Sequence, residues 1–452
     1  MSQKIHLIAI GGAAMHALAI ALKNEGNIVS GSDDELFEPA KSNLSVHGLL
    51  PNAEGWYAEK INKELDLVIV GMHAKNDNPE LIKAKELNLP IFSFPQYLAE
   101  KSKNKQRIVI GGSHGKTTIT AIIMHVLKSA GKDFDYLCGA PVQGFENHIK
   151  LSDAPTIVIE GDEYPSSTMD LTPKFLQYNH HIGIISGISW DHINIYKDEK
   201  SYISLFEQFA DKTPKGGSII FNSTDSVTNK IGSKDREDVN KIPYQAQKYE
   251  IKDGKVYLKF EKQLFETPIF GKHNMENISA AYFTTKRLGV TDEQFYKSLS
   301  TFKGAQNRLE LLNKNDNTTI YKDFAHAPSK VLATVNAVKE LFPKRQLTAC
   351  FELHTFSSLT KEFLSRYKNT LNQAEKAIIF YNPKSSKLKK LPELNTDDIL
   401  KAFNHPDLTV VTETNKLSEL LLKLTWKERN LLLMSSGNFG NLDLKTLSNE
   451  IA

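Results

Sequence analysis

Apolar and polar residues are arranged along this chain in blocks. Short apolar runs, bounded by glycine, proline or charge, alternate with longer stretches of helical periodicity. Residues 5–10 predict a buried strand, residues 14–25 a helix and residues 28–30 a second strand. Residues 67–70 predict a further strand, and residues 80–87 a helix that stops before Pro90. Strand runs alternating with helices imply a parallel sheet joined by right-handed crossovers.

The pattern recurs twice. After the polar, non-periodic residues 101–105, which read as a linker, residues 107–110 predict a strand and residues 118–129 a helix. Strands follow at residues 156–159 and 182–185, each ending at polar or charged residues. Residues 248–270 turn β-rich, with a hairpin predicted at Asp253-Gly254. From Arg308 onward, strands at residues 320–321, 347–351, 377–380, 409–411 and 431–434 are separated by helical stretches. The expected fold is α/β in three units, each on a mostly parallel sheet with flanking helices. The first and third are Rossmann-like and the second is a phosphate-loop unit, with boundaries at 1–102, 103–305 and 306–452.

Composition narrows the function without choosing it. The 452 residues are 40% hydrophobic and 24% charged, with a net formal charge of +3. That balance gives no reason to expect nucleic acid or an anionic membrane as partner. Cys138 and Cys350 are too few and too far apart for a disulfide framework, so a reducing cytoplasm is the expected setting. The N-terminus faintly imitates a secretory signal, but Gly11-Gly12, His6 and His16 interrupt the apolar run, and strand-turn-helix describes it better. No stretch approaches the roughly 20 apolar residues of a membrane span.

The strongest chemical signal is Gly112-Ser113-His114-Gly115-Lys116-Thr117-Thr118, between a strand and a helix. Glycines let backbone amides and a helix N-terminus converge on phosphate; a lysine reaches the β/γ-phosphates and a threonine hydroxyl can hold Mg²⁺. The general phosphate-loop pattern places a glycine where Ile110 stands, so the shorter Gly-x-x-Gly-Lys-Thr form is what remains. ATP or GTP is the first ligand expected.

Weaker signals surround it. Glu160, Asp162 and Glu163 crowd one strand end and need a cation among them, unless they form a solvated turn. Trp190-Asp191-His192 follows another strand; composition alone leaves His192 unassigned. Asn274 and Asn277 share a helical face and could read adenine, or Asn274 could cap the helix. Arg308 is either a phosphate finger across a boundary or a surface arginine, and Asp323 either a ribose partner or a turn former. Near the N-terminus, Gly11-Gly12 is not Gly-x-Gly-x-x-Gly, so an NAD-dependent oxidoreductase is a weak reading. Asp33, 22 residues beyond Gly11, is a ribose partner or a turn residue.

Taken in order, the glycine loop, Glu160 to Glu163, Asp191-His192, His273-Asn274 with Asn277, Arg308 and Tyr321-Lys322-Asp323 resemble the Mur ligase family over essentially the whole chain. The turn at Gly11, Gly12 and Met15 with Gly31-Ser32-Asp33 resembles the branch that takes UDP-N-acetylmuramate. Asp162-Glu163-Tyr164, Lys174-Phe175 with Tyr178, residues 94–98 and residues 434–440 resemble the members that attach L-alanyl-γ-D-glutamyl-meso-diaminopimelate, ahead of those that attach L-alanine.

The resemblance implies an ATP-dependent ligase that makes an amide through an acyl phosphate. Lys116 would contact the phosphates, with Gly112, Ser113, His114, Gly115, Thr117 and Thr118 forming the cradle. Thr117 would hold one Mg²⁺, and Glu163 and His192 a second. His273, Asn274 and Asn277 would surround the adenine, Asp323 would face the ribose, and Arg308 would stabilise the γ-phosphate. Gly11, Gly12, Met15, Ser32 and Asp33 would lie at the uridine nucleotide.

Four departures qualify this picture. Asn307 replaces an arginine common in the family, and Ala9 replaces a glycine. Glu207 stands where several relatives have a carbamylated lysine, and residues 351–356 lack an arginine for a diaminopimelate carboxylate. A degenerate, non-catalytic nucleotide sensor is the competing class, with Asn307 its main support.

Overall fold

The computed structural model describes residues 2–168, 170–190 and 195–452. Four sheets organise it. The first runs Ile28–Ser32, Lys4–Ile8, Leu67–Val70, Ile91–Ser93, all parallel. The predicted signal-like segment is its central strand followed by the helix Ala13–Asn24. That helix buries every residue from Met15 to Leu22, as expected of one enclosed on all sides.

The second sheet has seven strands in the order Asn240–Tyr244, Ser218–Asn222, Ile182–Ile185, Gln106–Gly111, Thr156–Glu160, Asp135–Leu137, Ile149–Lys150. Only its last pair is antiparallel. Ile108, Val109 and Ile110 are fully buried, the signature of a parallel strand covered on both faces. A third, antiparallel sheet contains Tyr249–Lys252, Lys255–Phe260 and Gln263–Thr267. Its predicted hairpin turns at Asp253 and Gly254, whose φ values of 51° and 71° suit a mirror-image turn. The fourth sheet is parallel apart from one edge, in the order Glu310–Lys314, Thr319–Asp323, Arg429–Met434, Gln346–Leu353, Lys376–Tyr381, Leu408–Val411.

Two local expectations change. The helix after the glycine loop begins at Lys116 rather than Thr118. Residues 101–105 are less free than their composition implies. The helix Phe94–Lys101 occupies their start, and Lys105 is anchored through its ammonium to the carbonyls of Ser152 and Ala154 at 2.7 and 2.6 Å. No helix among the described residues is long and apolar enough to cross a membrane.

Candidate active site

The carboxyl ends of Gln106–Gly111, Thr156–Glu160 and Thr319–Asp323 open onto one cleft of about 400 Å³ between the second and fourth sheets. Open α/β sheets bind ligands at such strand ends. The glycine loop forms one wall. Gly115 adopts φ 83° and caps the helix Lys116–Ser129 without any side-chain hydrogen bond, which leaves the first amides of the helix to a ligand. A Cβ on Gly115 would lie 2.4 Å from Oδ1 of Asn277, and one on Gly112 (φ 134°) would lie 2.1 Å from Oγ of Ser186. Both positions therefore require glycine twice over, for conformation and for space.

Lys116 donates to Oε2 of Glu163 at 2.7 Å and to the Gly112 carbonyl at 2.6 Å. Burial opposes its charge, but Glu163, Asp162 and Glu160 prevail and hold its pKa above the usual lysine value. The crowded carboxylates are each satisfied separately. Glu160 accepts from the Thr117 hydroxyl at 2.7 Å and the Gly139 amide at 2.6 Å, Asp162 pairs with Lys174 at 2.8 Å, and Glu163 takes Lys116. Lysines thus supply cations among the acids. Glu160 entered the sequence reading only as part of the acidic turn. The signal for its role is its place at the end of the strand beside the glycine-loop strand.

Arg308 crosses from the start of the fourth sheet's segment. Its Nη2 lies 3.3 Å from the Thr117 hydroxyl, its Nη1 donates to the Asn307 carbonyl at 3.0 Å, and its guanidinium sits 4.7 Å from the centroid of Phe324. Asn307 holds φ 57°, and its Oδ1 is buried without a hydrogen-bond partner. Asp323 lines the cleft, but its carboxylate accepts from the amides of Leu309 (2.7 Å) and Ala325 (2.8 Å) and from Thr334 (3.3 Å). Burial raises its pKa although Arg308 and these donors pull the other way.

His273, Asn274 and Asn277 line the same cleft from the helix Lys272–Arg287. Asn274 does not cap this helix. Gly271 occupies that position, and Asn274 donates instead to the Phe270 carbonyl at 3.0 Å while accepting from Asn277 at 3.0 Å. Burial lowers the pKa of both His273 and His114 to about 4, so both rings are neutral at physiological pH. Ser113 and Thr118 complete the cradle. His192 and its neighbour Asp191 lie outside the described residues.

The N-terminal candidates gather elsewhere; none lines this cleft. The Gly11 amide donates to Oδ2 of Asp33 at 2.6 Å, and Ser32 accepts from Lys60 at 3.0 Å. Gly12 precedes the helix that carries the buried Met15. Burial pushes the Asp33 pKa up to about 6, against the Gly11 bond and with help from Asp34. Ala9 adopts φ 66°, the left-handed conformation that explains why a glycine suits this turn.

Mg²⁺ prefers a few carboxylate or hydroxyl oxygens plus substrate phosphates. The Thr117 hydroxyl with Glu160 and Glu163 is such an oxygen set. Among the described residues, no group of three or more acidic, histidine or cysteine residues forms a self-contained metal site. The cleft thus offers helix amides, an ammonium and a guanidinium to an anion, and a few oxygen atoms to a cation.

Comparison with known proteins agrees. Residues 110–285 match the Mur ligase middle domain, and residues 4–106 match the Mur ligase family, catalytic domain. A UDP-N-acetylmuramate–L-alanine ligase of Caldicellulosiruptor saccharolyticus is 31% identical over 441 residues, covering 94% of each chain. The crystal structure of UDP-N-acetylmuramate-alanine ligase from Thermotoga maritima shares the fold, with a TM-score of 0.73 at 21% identity over 99% of this chain and 98% of that one. The UDP-N-acetylmuramate:L-alanyl-γ-D-glutamyl-meso-diaminopimelate ligase from Neisseria meningitides reaches a TM-score of 0.59 at 25% identity, over 67% of this chain and 99% of that one.

Proposed function

The chain belongs to the Mur ligase family, whose members are ATP-dependent amide-forming ligases, and on that premise we propose that it couples UDP-N-acetylmuramate to the amine of L-alanine. The observation that carries this reading is the convergence of Lys116, Thr117, Glu163 and Arg308 on one glycine loop, between two sheets. Family membership removes the oxidoreductase reading and speaks against a non-catalytic sensor.

The division of labour follows the expected boundaries. Residues 1–102 would hold the uridine nucleotide around Gly11, Gly12, Met15, Ser32 and Asp33. Residues 103–305 would hold ATP, and residues 306–452 would present the amine. Lys116, Arg308 and the loop amides bind and orient the triphosphate, and their positive charge meets the negative charge that develops on the transferred phosphoryl group. Mg²⁺, when bound, would neutralise phosphate oxygens, with Thr117, Glu163 and His192 as its proposed holders. A resting carboxylate is a poor acylating agent. Its attack on the γ-phosphorus breaks the bond to the β-phosphate, releasing ADP and leaving an acyl phosphate; the neutral amine then adds to the acyl carbon, loses a proton and displaces phosphate. His273, Asn274 and Asn277 are the adenine contacts in this scheme, and Asp323 tethers the segment that carries Arg308 near the ribose.

A second acceptor, the tripeptide L-alanyl-γ-D-glutamyl-meso-diaminopimelate, is favoured by the likeness to the Neisseria enzyme and by Asp162-Glu163-Tyr164 with Lys174. The name shared by the curated relatives supports L-alanine instead. Incubation with ATP, Mg²⁺ and UDP-N-acetylmuramate, offered either amine, decides by product mass. Neither product, with no phosphate release, would reject the ligase reading of this chain.

A further inference from the structure

We infer that Tyr202 is a positioning residue that fixes the Glu163 carboxylate and ties it to the glycine loop; this rests on the ligase reading for its purpose, not for its geometry. Tyr202 lies on the helix Glu199–Asp211 and is fully buried. Its ring packs against Phe206 and Tyr196, each at a centroid distance of 5.4 Å. Its hydroxyl leaves this aromatic cluster and donates to Oε1 of Glu163 at 3.0 Å, while lying 2.9 Å from Oγ of Ser113.

The direction of these bonds is set by proton count. An ionised carboxylate only accepts, so the single phenolic proton of Tyr202 goes to Glu163. The Ser113 hydroxyl accepts from the Ser189 amide at 2.9 Å and therefore gives its own proton to Tyr202. The chain runs one way: Ser189 amide, Ser113, Tyr202, Glu163. Ser113 is itself held to the 187–189 segment through its amide, which donates to the Gly187 carbonyl at 2.9 Å.

The two oxygens of Glu163 are thus held by unlike partners. Oε2 takes the Lys116 ammonium. An arriving triphosphate competes for that ammonium; it does not compete for a phenol buried in an aromatic cluster. When Lys116 turns to phosphate, the Tyr202 bond still holds Oε1 of the carboxylate. Without the phenol, Glu163 loses that restraint at the moment its position matters. Groups that orient a metal ligand commonly change metal affinity by about 10–100-fold when removed.

The test uses the full chain and Tyr202→Phe, which keeps the ring and removes only the hydroxyl. Mn²⁺ binding in the presence of a non-hydrolysable ATP analogue is followed by electron paramagnetic resonance, and analogue binding without metal by calorimetry. The expected result is Mn²⁺ affinity weakened about 10–100-fold, with metal-free analogue affinity within about twofold of the parent. Ser113→Ala leaves the phenol on Glu163 and should weaken Mn²⁺ less. Unchanged Mn²⁺ affinity in Tyr202→Phe overturns the proposal, as does equal weakening of Mn²⁺ and metal-free analogue. Should Tyr202→Phe fail to fold, 4-fluorophenylalanine at position 202, which fills the hydroxyl's volume without a proton to give, decides by the same split, overturning the proposal if Mn²⁺ and metal-free analogue weaken equally or not at all. A parent enzyme that forms no product would reject the ligase reading while leaving this binding comparison intact.

Discussion

Arg308 brings a guanidinium nitrogen to within 3.3 Å of the Thr117 hydroxyl, although 191 residues separate the two. Thr117 spends its own proton on Glu160, so its lone pair is what Arg308 meets. The contact with the Phe324 ring, 4.7 Å to its centroid, helps keep the guanidinium beside the loop. Arg308→Lys keeps the charge but loses the plane and the fork. It should lower kcat about 10²–10³-fold, a loss typical of removing one preorganised donor. Steady-state phosphate release measures it, and an unchanged kcat would remove Arg308 from the chemistry.

Lys116→Ala removes the charge proposed to face the phosphates. A loss of roughly 2.7–4 kcal/mol of transition-state stabilisation is expected in kcat/KM for ATP. It also strips Glu163 of its ammonium partner, so the variant should bind ATP weakly as well as turn over slowly. Single-turnover kinetics separate the two effects.

Gly115→Ala imposes two penalties, a left-handed backbone at φ 83° and a Cβ 2.4 Å from Asn277 Oδ1. The conformational cost alone is about 1–2 kcal/mol. Nucleotide affinity should fall below detection in calorimetry with ADP. Adding Asn277→Ala relieves the contact but not the backbone, so the double variant should recover part of the lost thermal stability and none of the affinity.

Acid should destabilise the fold through three histidines, the buried His180 and the half-buried His273 and His114. Desolvation lowers His180 to about 3 and His273 and His114 to about 4. Between about pH 6.5, the unfolded value, and these folded values, the unfolded chain binds protons that the folded chain refuses. Stability is therefore full above pH 6.5 and falls as pH drops through that window. Urea midpoints across pH 7.5 to 4.5 would show this slope, and His180→Gln should flatten it. His180 bonds Thr213 at 2.8 Å, so the overall offset of that variant is a separate quantity from the slope.

The parallel sheets and the glycine loop were legible in the sequence because their causes are local. A fully covered strand is apolar on both faces, as Ile108 to Ile110 are, and a left-handed turn selects glycine at Gly112 and Gly115. The inner strand Ser218–Asn222 and the edge strands Asn240–Tyr244 and Ile149–Lys150 were not singled out. Of these, Asn240–Tyr244 carries Pro243 and exposed polar residues, the mixed pattern an edge tolerates.

Partnership was harder to read than position. Glu160, Asp162 and Glu163 look alike in a string, yet one serves Thr117, one Lys174 and one Lys116. Asn274 looked equally like a cap, until Gly271 was found to start the helix. Tyr202 gave no signal, since a buried tyrosine on an amphipathic helix is ordinary until its hydroxyl is located. The acceptor amine stays a matter of side-chain detail in residues 351–356, where no arginine stands.

The cleft draws its glycine loop and acidic cluster from the second sheet, Arg308 from the segment that leads into the fourth, and Asp323 from the strand Thr319–Asp323 of that sheet. On the proposed reading, activation of the acid needs only Arg308 and Asp323 from the distal piece, whose remaining surface is left to choose the nucleophile. An ancestral gene could redecorate that remaining surface and acquire a new coupling partner while keeping those two residues and with them the energy-coupling step. Divergence by substitution in one lobe, at constant chemistry in the other, is the evolutionary freedom this architecture permits.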